Sequence, residues 1–176
     1  MVKHEHSGKG SGSFIDVNKV ISLLVKKDEV FLDVGCGPGD YLIPASKMTK
    51  NVTGIDIHKE SIEKVKKLGF NSFLVDATKK IPLKDESVDS LLMSNVLHGF
   101  IANKTEKKVM SEINRVLKQN GKLGIVEFKK NSERGPPKEI KLSDKQLIDI
   151  LKKYGFYKSS YSDVGEFNYF MIFKKN

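Results

Sequence analysis

From Val30 to Gly39 the chain reads Val-Phe-Leu-Asp-Val-Gly-Cys-Gly-Pro-Gly, an apolar run that ends in an acid and passes straight into closely spaced glycines. Glycines in such a turn let backbone approach a ligand closely, and a helix starting just beyond presents free N–H groups with partial positive charge. A nucleotide-like ligand is the natural occupant. The acid that holds ribose hydroxyls in such an arrangement belongs at the end of the next strand, where Asp56 stands 17 residues after Gly39. Its two oxygens can accept from both hydroxyls at once. Taken singly, Asp33 could merely end a strand, the glycines make a turn, and Asp56 cap a helix. Their joint occurrence at strand ends favours a binding site.

Strand-like and helix-like segments alternate around this turn, the pattern of a parallel sheet with helices on both faces. Val17, Val20, Ile21 and Leu24 recur at helical spacing, and Val30 to Val34 reads as the first strand. A second helix is predicted from Asp40 or Tyr41, with Pro44 tolerated in its first turn. Val52 to Ile57 reads as the second strand. The next helix carries Ile62, Val65 and Leu68, with Glu60–Lys64 and Glu63–Lys67 as i,i+4 pairs and Gly69 as its left-handed cap. Strands follow at Asn71 to Asp76 and Val88 to Met93. A single helix bearing Val109, Met110, Ile113, Val116 and Leu117 comes next, stopped by Gly121 before a fifth strand, Lys122 to Phe128. Asn131 to Leu142, with Gly135-Pro136-Pro137, is a loop. Ser143 and Gln146 form a capping box for a helix that Gly155 closes. Phe156 to Tyr161 and Phe167 to Phe173 are joined by too short a link for a crossover, so they pair antiparallel. The expected fold is α/β, a seven-stranded, mostly parallel sheet ending in a hairpin.

The 176 residues fit one domain, expected over 14–176 behind a flexible, polar, glycine-rich arm, 1–13. With Cys36 as the sole cysteine, neither an intramolecular disulfide nor a cysteine-rich zinc site can form. The arm lacks the apolar core of a signal peptide, and Ser90 to Asn103 is too short and polar to span a bilayer, which predicts a cytoplasmic protein with no membrane span. A net charge of +9 raises nucleic acid as a partner, but the cations are nearly all lysine, with only Arg115 and Arg134 as guanidinium forks. Base edges are usually read by arginine, so a solvated basic surface is favoured.

Taken together, the motifs resemble those of class I S-adenosylmethionine-dependent methyltransferases of the small type 11 branch. They are Leu32 to Gly39, Gly54-Ile55-Asp56-Ile57, Val75-Asp76-Ala77, Ile81 to Asp89, Ser94 to His98 and Arg115 to Leu123, and the terminal hairpin belongs to the same resemblance. The resemblance implies a Rossmann-like methyltransferase fold and S-adenosylmethionine as cofactor. It implies that the turn of Gly35, Cys36, Gly37 and Gly39 packs on the methionine moiety, with Asp33 beneath it. Asp56 with Ile57 would take the ribose, Asp76 with Ala77 would flank the adenine, and Ser94 and Asn95 would line the pocket.

Methyl transfer from a sulfonium is an in-line displacement, so holding the reactants in line is the main requirement and a base is optional. Candidate bases at strand ends are His98, Glu127 and, less favoured, Tyr41. His98 has a packing role as its alternative, and Glu127 an ion pair with Lys129 or Lys130. Cys36 reads as a small turn residue rather than a nucleophile. His4 and His6, in the arm, make no metal site without a third ligand. The loop after the fifth strand is expected to shape the acceptor cavity. A small-molecule or lipid-like acceptor is favoured. The alternatives are RNA or protein, docked on Lys104, Lys107, Lys108, Lys129 and Lys130, a binding module without turnover, or a nicotinamide dehydrogenase.

Overall fold

The computed structural model describes residues 14–175. The expected arm, 1–13, with His4 and His6, lies outside the described residues. Thirteen elements follow in the order α1 (Val17–Leu24), β1 (Phe31–Val34), α2 (Leu42–Ser46), β2 (Val52–Asp56), α3 (Lys59–Lys67), β3 (Asn71–Leu74), β4 (Val88–Ser94), α4 (Leu97–Ala102), α5 (Glu106–Val116), β5 (Leu117–Phe128), α6 (Asp144–Lys152), β6 (Phe156–Asp163) and β7 (Asn168–Lys175).

All seven strands form one sheet in the order β3-β2-β1-β4-β5-β7-β6. The first five are parallel, and β7 pairs antiparallel with both β5 and β6. This is the expected sheet with its reversed hairpin. The chain order reverses between β1 and β4, which opens a crevice beyond their carboxyl ends. Phe128 faces Asn168 and Asp163 faces Tyr169 across the ladders, so the β6–β7 turn stands at that same edge.

Alternation along the strands sends side chains to two cores. Phe31, Leu92, Val126 and Phe170 pack against Val20, Ile21 and Leu24 of α1, Leu42 of α2 and Val65 of α3. Leu32, Leu91, Ile125 and Met171 face the other way, onto Val109, Met110 and Ile113 of α5 and Leu147 and Leu151 of α6. The capping box forms as expected: Gln146 N–H donates to Ser143 Oγ at 3.2 Å, and Ser143 N–H donates to Gln146 Oε1 at 3.0 Å.

Four local expectations need correction. The single helix before β5 is two, because the six-residue α4 intervenes, without a capping side chain and with Gly99 inside it. Gly121 does not stop a helix. α5 ends at Val116, Leu117 already pairs with Val88, and β5 absorbs residues 118–121 as an irregularity around Asn120, whose φ is +63°. Strands β2 and β3 end at Asp56 and Leu74, before the expected Ile57 and Asp76, because both chains turn away to form the ligand-side loops. The ion pair on α3 is Lys59–Glu63, at 3.7 Å, in place of Glu60–Lys64 and Glu63–Lys67.

Candidate cofactor and acceptor site

The first strand delivers its acid to the crevice fully buried. Asp33 is 1% exposed, and neither carboxylate oxygen has a hydrogen-bond partner. Burial, and next the charges of Asp56 and Asp40, push its pKa well above the ordinary carboxylate value. The chain then turns sharply. Gly35 N–H and Cys36 N–H both donate to Ile55 O, at 2.8 and 3.0 Å, pinning the turn to β2. Gly35 has φ +75°, and a Cβ there would lie 2.7 Å from Val96 Cγ1. Gly37 has φ +51°, and a Cβ there would meet no atom within 4 Å. Left-handed backbone explains both glycines, and close packing adds a second reason at Gly35.

Asp56 braces this turn from the neighbouring strand. Its Oδ2 accepts from Gly37 N–H at 2.8 Å and its Oδ1 from His58 N–H at 2.8 Å. Each oxygen keeps acceptor capacity for a further donor, since an ionised carboxylate offers about four lone-pair sites. Ile57, next in the chain, is 62% exposed and sets an apolar side chain beside the carboxylate. Asp76 lies beyond β3, its Oδ1 accepting from Thr78 N–H at 2.8 Å and Thr78 Oγ1 at 2.7 Å. Partial burial pushes that carboxyl up, but the Thr78 bonds, Lys79 and Lys108 outweigh it and hold it below its ordinary value. Ala77 is buried in the core behind it.

Cys36 is 4% exposed, and burial, reinforced by Asp33 and Asp56, drives its thiol pKa up. That is the setting of an inert small residue. Tyr41 Oη and Ser94 Oγ share a hydrogen bond of 2.9 Å across the crevice. Burial also raises the Tyr41 hydroxyl, which keeps its proton and is a poor base. Asn95 turns the chain out of β4 with φ +55°. Its N–H donates to Val126 O at 2.8 Å, and its Oδ1 accepts from Asn168 Nδ2 at 3.0 Å.

His98 and Glu127 meet. Glu127, 1% exposed, is the penultimate residue of β5, and His98, 5% exposed, is the second residue of α4. Their partnership replaces the ion pair with Lys129 or Lys130 weighed for Glu127, since Lys129 pairs instead with Asp163 at 2.9 Å. The structure thus gathers Asp33, Gly35, Cys36, Gly37, Gly39 and Asp56 at one end of the crevice. Ser94, Asn95, His98 and Glu127 stand at the other. Two further residues join the second group. Asn168 holds Asn95, and Tyr169, across the ladder from Glu127, donates its hydroxyl to Leu142 O at 3.0 Å. Both lie on β7, Asn168 73 residues along the chain from Asn95 and Tyr169 27 from Leu142, and no local pattern marks them. Among the described residues no cluster of three or more His, Cys, Asp or Glu could hold a metal, and no helix is long and apolar enough to cross a membrane.

Comparison with known proteins places this architecture. The family described as a methyltransferase domain matches residues 32–125, more than half the chain. The crystal structure of a SAM-dependent methyltransferase from Aquifex aeolicus superposes with a TM-score of 0.80 at 31% identity, covering 93% of this chain and 91% of that one. A ubiquinone/menaquinone biosynthesis C-methyltransferase from Campylobacter jejuni is 32% identical over 125 residues, 66% of this chain and 52% of its own. An uncharacterised methyltransferase-like protein of Schizosaccharomyces pombe is 35% identical over 58% of this chain and 40% of its own. The chain thus spans about half the length of these two curated relatives. Sheet order, glycine turn and family match agree: the chain belongs to the methyltransferase domain family, in the class I, type 11 branch that uses S-adenosylmethionine.

Proposed function

We propose that this chain transfers a methyl group from S-adenosylmethionine to a small-molecule or lipid-like acceptor lodged at the carboxyl edge of β4 and β5. The observation that carries this reading is the unpartnered, buried carboxylate of Asp33, set under a glycine turn beside Asp56 and Asp40. A dinucleotide would bring a doubly negative pyrophosphate against three acids. A ligand carrying an ammonium and a sulfonium brings the opposite sign, and buried charge is tolerated when paired. The remaining groups fit the same ligand. Asp56 offers the acceptor lone pairs a ribose needs, Ile57 an apolar surface for a base, and Asp76 an ionised oxygen for an exocyclic amine.

When bound, the cofactor supplies an activated methyl carbon. The protein's part is to hold the nucleophile in line, which is worth roughly 7 to 11 kcal/mol of a barrier when geometry is optimal. Ser94 and Asn95, fixed by Tyr41 and Asn168, wall the space between turn and acceptor. His98 is the base. Its ring is oriented by the bond between Nδ1 and Glu127, and the adjacent carboxylate stabilises the imidazolium that forms when it takes the acceptor's proton. The Campylobacter relative, named for C-methylation in quinone biosynthesis, supports a small acceptor.

A methyl-transfer assay with labelled S-adenosylmethionine over a panel of small hydroxylated and quinone-like acceptors tests this. Turnover of at least one, abolished or strongly reduced in His98→Asn, is the expected result. Tight cofactor binding with no transfer to any acceptor would leave a binding module instead.

A further inference from the structure

The segment between β5 and α6 is held closely against the acceptor end of the crevice. Gly135, with φ +88°, lies on the face of Phe128, so near that a Cβ would fall 2.5 Å from a ring carbon. The Arg134 guanidinium sits over the rings of Phe14, at 5.0 Å, and Phe167, at 5.8 Å. Lys129 N–H donates to Phe167 O at 2.8 Å. Two more lysines tie the loop's ends together through backbone carbonyls. Lys130 Nζ donates to Lys141 O at 2.6 Å, and Lys141 Nζ donates to Ser132 O at 2.5 Å.

Lys141 is 5% exposed and Lys130 half-buried, yet among the described residues neither ammonium has a carboxylate within ion-pair distance. An ammonium carries three donors, and each uses one on a neutral carbonyl. A buried cation without an anion is costly, so its natural complement is an anion from outside the chain. The loop's position says which ligand would bring it. Leu142, adjacent to Lys141, receives the Tyr169 hydroxyl, and Tyr169 stands opposite Glu127 across the β5–β7 ladder. The two ammoniums therefore lie toward the acceptor end, where the one acid placed there, Glu127, is already held by His98, while Asp33, Asp56 and Asp76 belong to the cofactor end.

We propose that Lys141, backed by Lys130, forms an anion subsite, and that the methyl acceptor is a small molecule bearing a carboxylate or phosphate. The proposal rests on the methyltransferase reading for its neighbouring site. The rings of Phe14, Phe128 and Phe167 give the same loop an apolar side suited to the acceptor's body. Polynucleotide backbones engage exposed cations, and a lysine as recessed as Lys141 suits a small ligand instead.

The test is a calorimetric titration of the full chain, saturated with S-adenosylhomocysteine, with three probes: inorganic phosphate, benzoate and a short single-stranded RNA. Saturable binding of phosphate or benzoate is expected, weakened about 10- to 100-fold in Lys141→Met by loss of a charge-assisted hydrogen bond. Lys130→Met should weaken it in the same direction and carries the test if Lys141→Met does not fold, and S-adenosylhomocysteine affinity should be unchanged in either variant. The phosphate and benzoate arms separate the two anion types. Equal anion affinity in wild type and variants, no binding of either small anion, or RNA binding tighter than both would overturn the proposal. Failure of S-adenosylhomocysteine itself to bind would instead count against the methyltransferase reading.

Discussion

Both carboxylate oxygens of Glu127 receive hydrogen from one residue: Oε1 from the main-chain N–H of His98 at 3.1 Å, Oε2 from its Nδ1 at 2.7 Å. A carboxylate only accepts, so the shared ring proton resides on Nδ1 and the imidazole is held in one orientation. Glu127 thereby anchors the first turn of α4 and orients a base in a single stroke. Glu127→Gln puts an N–H2 where one of these donors must be received and disturbs that orientation. It should lower kcat by about 10²- to 10⁴-fold, the range a positioned proton acceptor contributes. Cofactor affinity should stay near wild type, because neither residue lies at the glycine turn. Steady-state kinetics beside a direct binding measurement separates the two quantities, and an equal loss in both would mark the pair as structural.

Asp33 sets binding against stability. Its folded-state pKa is raised, so the stability it contributes is fully present below the ordinary carboxylate value and is lost as pH rises through the folded value. At neutral pH, Asp33→Asn should therefore raise the melting temperature of the ligand-free protein. Asn leaves a polar group at the site but removes the charge that burial and the neighbouring acids disfavour, so the sign of the change is a rise. The same substitution should weaken S-adenosylmethionine binding. Thermal melts with and without ligand, repeated across pH, read both effects. A lower melting temperature together with unchanged affinity would count against the role assigned to this acid.

A cationic ligand favours ionised Asp33, so binding should release a proton wherever that carboxyl is protonated beforehand. Affinity for S-adenosylmethionine should then increase as pH rises toward the raised pKa of Asp33 and level off above it. Calorimetry in buffers of different ionisation enthalpy counts the proton directly. No proton release at any pH below neutrality would contradict the pairing.

The two glycines at the turn should respond differently to alanine. At Gly37 the new methyl meets no protein atom, so Gly37→Ala should cost only the left-handed strain, about 1–2 kcal/mol of stability. Its affinity loss should exceed that if a ligand lies on this backbone. Gly35→Ala adds a 2.7 Å clash with Val96 to the strain and should destabilise the fold more. Equal melting temperatures for the two variants would show that the Val96 contact does not constrain the turn.

The parts of this fold written in local pattern were open to reading from the chain. The strand-turn-helix around Gly35 to Gly39, the capping box at Ser143 and the terminal hairpin depend on neighbours close in the chain, and Asp56 is marked by its place at the end of the strand after the turn. What depended on pairing across the sheet was hidden. His98 and Glu127 are each marked by position, but their contact spans 29 residues and needs β4 beside β5. Asn168 reaches Asn95 across 73 residues. The same reason hides Lys141, one lysine among many until the fold buries it. At Gly121 the local rule misled, because glycine after a helical run commonly caps a helix, whereas here β5 starts earlier and bends around it.

The most direct test of the central claim is equilibrium titration of the full chain with S-adenosylmethionine and, separately, with NAD. Saturable, one-to-one binding of S-adenosylmethionine is expected, with none of NAD, and affinity weakened in Asp56→Ala by one or two charge-assisted hydrogen bonds of about 1.5–3 kcal/mol each. Binding of NAD, or an Asp56→Ala variant that holds S-adenosylmethionine as tightly as the wild type, would contradict it.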